Sequence, residues 1–122
     1  VRIYTPGIPD KPTIFLLTRS YFPHLLRAGV RIYSFTPGFL HAKTWLIDGK
    51  VAVVGTVNLD YRSLYLHFEC GALLYGGRVL QDVRADLADI EARSRALTLE
   101  DCRTGFVGTM VSAALRLLAP LC

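Results

Sequence analysis

Two short apolar runs, separated by one turn signal, constrain the fold of this chain more than any other feature. The runs are Trp45–Ile47 and Val51–Val54, and Asp48-Gly49 lies between them. An Asp-Gly pair between apolar runs is a strong signal for a two-residue β-hairpin turn. The sequence therefore predicts an antiparallel hairpin that brings the residues before its first strand beside the residues after its second.

The hairpin would bring together polar residues with complementary chemistry. His41 and Lys43 precede the turn, and residues two apart point to the same face if residues 40–47 form a strand. Gly55 ends the second run and permits a tight turn with close backbone approach. Thr56 and Asn58 then present a hydroxyl and an amide. An imidazole, an ammonium and a carboxamide would thus converge on one phosphate.

Each of these groups has a role in cleaving a phosphodiester. His41 can serve as a covalent nucleophile or as a general acid or base. Lys43 and Asn58 would stabilise charge that builds on the phosphate oxygens in the transition state. Asp48 joins His41 and Lys43 as a catalytic candidate, although its place at the turn also suits a turn cap. His-x-Lys is not a metal-ligand spacing, so we expect neither a metal nor another cofactor.

A carboxylate inside an apolar run is the next candidate. Glu69 lies in Leu64–Cys70, which predicts a buried strand, and a buried carboxylate is costly unless it is paired. Pairing with His41 would offset that cost and fix the imidazole tautomer. The alternative is an edge-strand glutamate that faces water. His67 and His24 have no motif around them and are predicted to be structural.

The spacing H-x-K-x-x-x-x-D, followed after six residues by G-T-x-N, resembles the HKD motif of the phospholipase D superfamily. Essentially the whole chain resembles bacterial cardiolipin synthases, and the most specific segments are Phe39–Thr44 and Asn58–Glu69. The resemblance implies an α/β fold, the phospholipase D-like α-β-α sandwich with a mixed sheet. Residues 1–97 are predicted to be the C-terminal part of such a domain, and residues 98–122 an amphipathic helical tail.

The resemblance also implies a reaction. It implies a phosphatidyltransferase that forms cardiolipin and glycerol from two phosphatidylglycerols through a phosphohistidine intermediate. By the same analogy His41 protonates the leaving alkoxide and then activates the incoming alcohol, and Glu69 supports the catalytic histidine from behind.

The resemblance assigns binding roles to the remaining polar residues. Lys43, Thr56 and Asn58 are expected to bind the phosphate. Tyr61 and Arg62 are candidates for binding a headgroup or a second phosphate. A structural arginine paired with Asp60 is the alternative for Arg62.

One HKD motif is fewer than such synthases carry, since they combine two motifs and N-terminal membrane segments in one chain. These 122 residues begin at Val1 and hold one motif, with no apolar run of about 18 residues and no signal-peptide pattern. We expect the chain to be the C-terminal part of a longer enzyme. A missing N-terminal half or a second subunit would supply the other motif, and the isolated chain would be inactive.

The composition favours a membrane surface as a partner. Hydrophobic residues make up 52% of the chain and its net charge is +4, which suits anionic lipid and also nucleic acid. The positive charges are dispersed, so nucleic acid is an unlikely partner, and we expect phosphatidylglycerol at the bacterial inner membrane. The three cysteines do not make a disulfide framework, and Cys70 is predicted to be a reduced core thiol.

Two alternative functions stay open. One is a phosphodiesterase or nuclease of the same superfamily, in which subunits with one motif each pair to complete a site. The other is an inactive fragment that binds lipid or a partner.

Periodicity and turn residues predict alternating strands and helices along the chain. Pro23, which can break a helix, lies inside the first predicted helix, and Thr98 starts a capping signal for a last helix. The predicted strands are Val1–Tyr4, Val30–Phe35 and Leu66–Tyr75, and the predicted helices are Ile14–Ala28 and Val79–Ala96.

Overall fold

A computed structural model describes residues 1–9, 11–103, 105–117 and 119 of the chain. Within these ranges the fold is mixed α/β, as the sequence predicts. The strands are β1 (Arg2–Pro6), β2 (Arg31–Phe35), β3 (Thr44–Ile47), β4 (Val51–Gly55), β5 (Gly71–Tyr75) and β6 (Ser94–Ala96). The helices are α1 (Pro12–Arg27), α2 (Tyr61–Tyr65), α3 (Val79–Ala92) and α4 (Phe106–Leu117), with a 3₁₀ turn at Glu100–Cys102.

The first of two three-stranded sheets has the strand order β1-β2-β6. Strands β1 and β2 are parallel and are connected through α1, whereas β6 runs antiparallel to β2. Residues 94–96 were predicted to be the end of a helix, but α3 ends at Ala92. Pairing with β2 gives these backbone groups partners in the sheet, and such tertiary contacts override a weak local helix preference. This small sheet therefore combines parallel and antiparallel pairing, as the predicted mixed sheet does.

The second sheet has the order β3-β4-β5 and is antiparallel throughout. The predicted hairpin is confirmed, with Thr44 opposite Val54. Asp48 and Gly49 both have positive φ, at 51° and 65°, which is the pattern of a type I′ turn. The Lys50 N–H closes this turn by donating to the Ile47 carbonyl at 3.0 Å.

Helix α1 runs unbroken through Pro23, a residue that can break a helix. Two polar contacts lie in the turn before the proline. The Ser20 hydroxyl donates to the Leu17 carbonyl at 2.6 Å, and the Arg116 guanidinium donates to the Ser20 carbonyl. Both contacts lie beside the Arg19 carbonyl, which loses its helical donor because the proline has no N–H.

The core around this sheet is small. Phe22, Ile32 and Leu97 form a buried cluster, and Ile32 is only 1% exposed. It joins α1 to the central strand β2 and to the residue that follows β6. The first sheet is thereby fixed against the helix that crosses over it.

The segment after residue 97 packs back onto α1. Arg116 of α4 donates from Nε to the Ser20 hydroxyl at 3.1 Å, and its guanidinium carbon lies 4.9 Å from the centre of the Tyr21 ring. The Thr98 capping signal belongs to the 3₁₀ turn and not to α4, since the Thr98 N–H and hydroxyl donate to the Asp101 carboxylate at 2.7 and 2.8 Å.

Across the part of the chain that is described, no helix is long and apolar enough to cross a membrane. The predictions for residues 118 and 120–122 lie outside the described residues.

Replacement of Gly55 by alanine is expected to destabilise the second sheet. A Cβ at Gly55 would overlap the Cys70 carbonyl and lie 2.5 Å from the Gly71 Cα, both of which are backbone atoms of the neighbouring strand segment. We expect Gly55→Ala to lower the free energy of unfolding by about 1–3 kcal/mol, as overpacking does. Urea denaturation would measure it. Gly38→Ala is the matched control, because a Cβ there meets nothing within 4 Å. Equal stabilities of the two variants would contradict the close approach.

Candidate active site

Main-chain hydrogen bonds at the end of β4 assemble the site. The Gly55 N–H donates to the Lys43 carbonyl at 3.2 Å, and the Thr56 N–H donates to the Cys70 carbonyl at 2.9 Å. Adjacent residues thus hold the segment before β3 on one side and the segment before β5 on the other. The two halves of the sequence motif are joined directly through their backbones.

An open depression of about 480 Å³ lies at this junction. It contains four of the predicted site residues, His41, Lys43, Thr56 and Asn58. The complete lining is His41, Ala42, Lys43, Thr44, Val54, Gly55, Thr56 and Asn58. The structure therefore brings the predicted imidazole, ammonium, hydroxyl and carboxamide to one concave surface of a size that suits a phosphate group and part of its substituents.

His41 and Lys43 are in direct contact, although β3 begins only at Thr44 and neither residue is in the predicted strand. Lys43 Nζ lies 2.8 Å from His41 Nε2 and 3.0 Å from Nδ1, and it donates to the His41 carbonyl at 2.8 Å. The Phe39 ring stacks on the imidazole with 5.5 Å between ring centres. A neutral imidazole has one acceptor nitrogen, so the ammonium can donate to only one of the two ring nitrogens that it approaches.

Thr56 is the polar centre of the site. Its hydroxyl donates to the Glu69 carboxylate and accepts from the Cys70 N–H at 3.0 Å. A hydroxyl has a single proton to donate. In this arrangement Thr56 gives that proton to Glu69, so it can bind a phosphate through its hydroxyl only if Glu69 releases it. Asn58, exposed on the wall of the depression, has no such competing contact with Glu69.

Glu69 lies at the site, but its partner is Thr56 and not the predicted His41. Its carboxylate accepts a hydrogen bond from Thr56, and this bond, followed by the contribution of the Ser63 hydroxyl, holds its pKa below the usual 4.5, with smaller contributions from the charges of His67 and Lys43. The ionised form therefore stabilises the fold. That contribution is complete above pH about 4.5 and is lost as the pH falls through the lower folded-state pKa.

The position of Glu69 differs from the prediction because the strand begins late. The chain after α2 is held in a turn, where the Leu66 and His67 N–H groups donate to the Arg62 carbonyl at 2.9 and 2.8 Å. Strand β5 begins only at Gly71. Glu69 is half-exposed and Cys70 is exposed, so the predicted buried strand around them and the core cysteine are wrong.

Asp48 is not brought into the depression. It lies in the hairpin turn, and the four residues of β3 separate it from Lys43. At a rise of about 3.3 Å per residue, that strand alone spans roughly 13 Å. The structure therefore places Asp48 at the opposite end of the hairpin from His41.

Tyr61 and Arg62 lie on the short helix α2, close to the site. Asp60 caps this helix by accepting from the Ser63 N–H at 2.7 Å, so it does not serve as the partner of Arg62. Arg62 instead donates from Nε to His67 Nε2 at 3.1 Å. His67 thus has the structural contact that was predicted for it.

Ser63 is the site residue that sequence reasoning missed. It is buried, and its hydroxyl helps to lower the pKa of the carboxylate that accepts from Thr56. The available signal was a small polar residue among large apolar ones, in Tyr61–Leu66. Among the described residues, no three His, Cys, Asp or Glu side chains are grouped so that they could hold a metal ion.

Comparison with known proteins places this geometry in context. Residues 1–90 match the family described as "Cardiolipin synthase, PLD-like domain". An uncharacterized protein of Streptococcus mutans is 48% identical over 122 residues, a span that covers 99% of this chain and 26% of that protein. Cardiolipin synthases of a Geobacillus strain and of Halalkalibacterium halodurans are 40% and 38% identical, each over 99% of this chain and 24% of their own length. The chain thus spans about a quarter of the length of these relatives.

Removal of the Thr56 hydroxyl is expected to raise the pKa of Glu69 toward its ordinary value, because the charged carboxylate loses its main donor. The measurement is a ¹³C NMR titration of the Glu69 carboxyl in wild type and Thr56→Val. Ser63→Ala should also raise the pKa of Glu69. The matched control is Thr98→Val, which removes a hydroxyl from Asp101 and should leave Glu69 unchanged. An unchanged Glu69 pKa in Thr56→Val would refute the assigned hydrogen bond.

Proposed function

We propose that the chain supplies one wall of the active site of a phosphatidyltransferase. The chain belongs to the family of cardiolipin synthase PLD-like domains. The proposed reaction converts two phosphatidylglycerols into cardiolipin and glycerol. The observation that carries this proposal is the convergence of His41, Lys43 and Asn58 on one open depression. These are a proton-transfer or nucleophilic group and two donors for phosphate oxygens.

The proposed chemistry has two steps and needs two imidazoles. In the first, one histidine attacks phosphorus, a P–N bond forms, and the P–O bond to the first glycerol breaks while the second histidine protonates the leaving alkoxide. In the second step the now neutral histidine takes the proton of a glycerol hydroxyl on another phosphatidylglycerol. That oxygen attacks phosphorus, a new P–O bond forms and the P–N bond breaks.

We assign His41 to the acid and base role, which the resemblance to cardiolipin synthases implies. The other two imidazoles among the described residues have structural partners: His24 lies 3.2 Å from Arg116, and His67 accepts from Arg62. Neither lines the depression. The nucleophilic histidine would then come from a second motif, in the remainder of a longer protein or in a second subunit.

The other site residues receive supporting roles in this proposal. Lys43 and Asn58 stabilise the charge of the phosphate oxygens in the transition state. Asp48 supports the hairpin from its turn, which has a positive φ that few residues adopt readily. Tyr61 and Arg62, on the short helix α2 that follows Asn58, would contact a headgroup.

The proposed substrate sets the proposed location. Phosphatidylglycerol resides in bilayers, so we place the protein at the bacterial cell membrane. The net charge of +4 favours an anionic lipid surface there.

In the full-length protein, Lys43→Ala and Asn58→Ala are each expected to lower kcat/KM by about a hundredfold to a thousandfold, as loss of one transition-state donor does. The measurement follows cardiolipin and glycerol formed from phosphatidylglycerol vesicles. Lys50→Ala is the matched control, since Lys50 is an exposed lysine beside the turn at the far end of the hairpin. It should change the rate by less than about twofold.

Substantial activity in Lys43→Ala or Asn58→Ala would remove the phosphate-binding assignment. A different outcome would change the function itself. DNA cleavage that weakens with salt, with no turnover of lipid, would favour a nuclease of the same superfamily.

The 122-residue chain by itself is expected not to convert phosphatidylglycerol. Without an opposing imidazole it lacks one of the two catalytic groups, and general acid–base catalysis alone contributes about a hundredfold or more. Purified chain and full-length protein would be compared at equal concentration for glycerol release. Cardiolipin formed by the isolated chain, and abolished by His41→Ala, would contradict this.

A further inference from the structure

Helix α2 has its apolar side outward. Its five residues, Tyr61–Tyr65, bury only Ser63, whereas Leu64 and Tyr65 are 49% and 72% exposed. A short amphipathic helix packed on a protein core normally buries its large apolar residues and exposes its serine. The reversed pattern indicates that the apolar side of α2 faces something other than the core.

The reversed pattern extends beyond the helix. In the segment of residues 59–68, six of the ten residues are large, apolar and at least 46% exposed, and Phe68 is fully exposed. Single exposed apolar residues are common, but a contiguous patch of them marks an interaction surface. The six are Leu59, Tyr61, Leu64, Tyr65, Leu66 and Phe68.

Hydrogen bonds inside the segment fix its backbone. Asp60 caps α2 by accepting from the Ser63 N–H at 2.7 Å. Arg62 donates to the His67 ring, and its carbonyl accepts from the His67 N–H at 2.8 Å. The backbone of the 59–68 segment is thus held in a conformation that leaves its apolar side chains exposed.

The charge that favours an anionic surface is that of the whole chain. Beside the segment, the acidic Asp60 and Glu69 balance the cationic Arg62 and Lys43, and both acids accept hydrogen bonds within the protein. The net charge of the chain is +4. An apolar and aromatic surface on a protein of positive net charge is the composition of surfaces that bind at the headgroup level of anionic membranes.

The 59–68 segment is continuous with the depression. Asn58 lines the depression and Leu59 is the next residue. On another part of the rim, the half-exposed Phe39 stacks on His41. A phospholipid whose phosphate lies against His41 and Lys43 has acyl chains that need an apolar environment within the reach of one lipid molecule.

We propose that the 59–68 segment is the face by which the protein enters the interface of an anionic phospholipid bilayer. Leu64, Leu66 and Phe68 contact the upper acyl chains, and Tyr61 and Tyr65 lie at the headgroup level, where tyrosine places an apolar ring and a hydroxyl in suitable surroundings. This inference rests on the proposed function for the identity of the lipid. It adds the orientation of the site, with the depression opening toward the membrane surface.

A tryptophan placed in the segment tests the contact without any need for turnover. Full-length Phe68→Trp would be reconstituted into vesicles of phosphatidylglycerol and phosphatidylcholine with brominated acyl chains, which quench nearby tryptophan. Wild-type emission, which includes Trp45, is subtracted. Leu99→Trp is the matched control, since Leu99 is an exposed apolar residue beside the 3₁₀ turn, outside the 59–68 segment.

The proposal predicts that the added tryptophan of Phe68→Trp has blue-shifted emission and is quenched by brominated lipid at least about twofold more than that of Leu99→Trp. A blue shift without quenching would mean that protein covers the segment and would overturn the proposal. Emission typical of a tryptophan exposed to water, without quenching, would also overturn the proposal.

A second variant separates this proposal from the proposed function. Full-length Phe68→Asp should lose roughly tenfold or more of its activity on bilayer phosphatidylglycerol, because a charge replaces a ring that the bilayer would otherwise bury. It should keep most of its activity on a short-chain phosphatidylglycerol that stays monomeric. Equal loss on both substrates would overturn the membrane contact. A wild-type enzyme that makes no cardiolipin from either would count against the proposed function, while the quenching result still decides the contact.

Discussion

The site depends on one pair of main-chain hydrogen bonds at the end of β4. The N–H groups of Gly55 and Thr56 donate in opposite directions, to the carbonyls of Lys43 and Cys70. Three stretches of chain are thereby held side by side, and the two around β3 and β4 supply the polar side chains that line the depression. The close approach that this requires leaves no room for a side chain at Gly55. The motif thus has a backbone requirement and a chemical one. Gly55 permits the close approach of the chain segments, and its neighbours supply the side chains that line the site.

The polar groups of the site are mutually engaged in this structure. Lys43 contacts the His41 ring, and the Thr56 hydroxyl donates to Glu69. Under the proposed function, Lys43 or Thr56 would exchange its present contact for one with the phosphate, and the fold has already brought these groups to one surface.

The sequence was sufficient to predict the hairpin and the four site residues around the depression, because the Asp48-Gly49 turn is a local signal that fixes which flanking residues meet. It was insufficient for β6, which is a strand only because β2 lies beside it. Glu69 was placed near the site but given the wrong partner. Its apolar neighbours suggested burial in a strand, whereas they face outward around a turn whose bonds to the Arg62 carbonyl depend on the fold. Ser63 carried no local signal strong enough to separate it from an ordinary helix residue.

The contact between Arg116 and the middle of α1 has a consequence for truncation. A proline has no N–H, so Pro23 leaves the Arg19 carbonyl without its usual helical donor. At the next residue, Arg116 of α4 donates to the carbonyl and hydroxyl of Ser20. Helix α4 therefore supports α1 from outside at the turn that lacks this hydrogen bond. Shortening the chain from its C-terminal end would loosen that turn, and the disturbance would reach the core through Phe22, the buried residue directly before the proline.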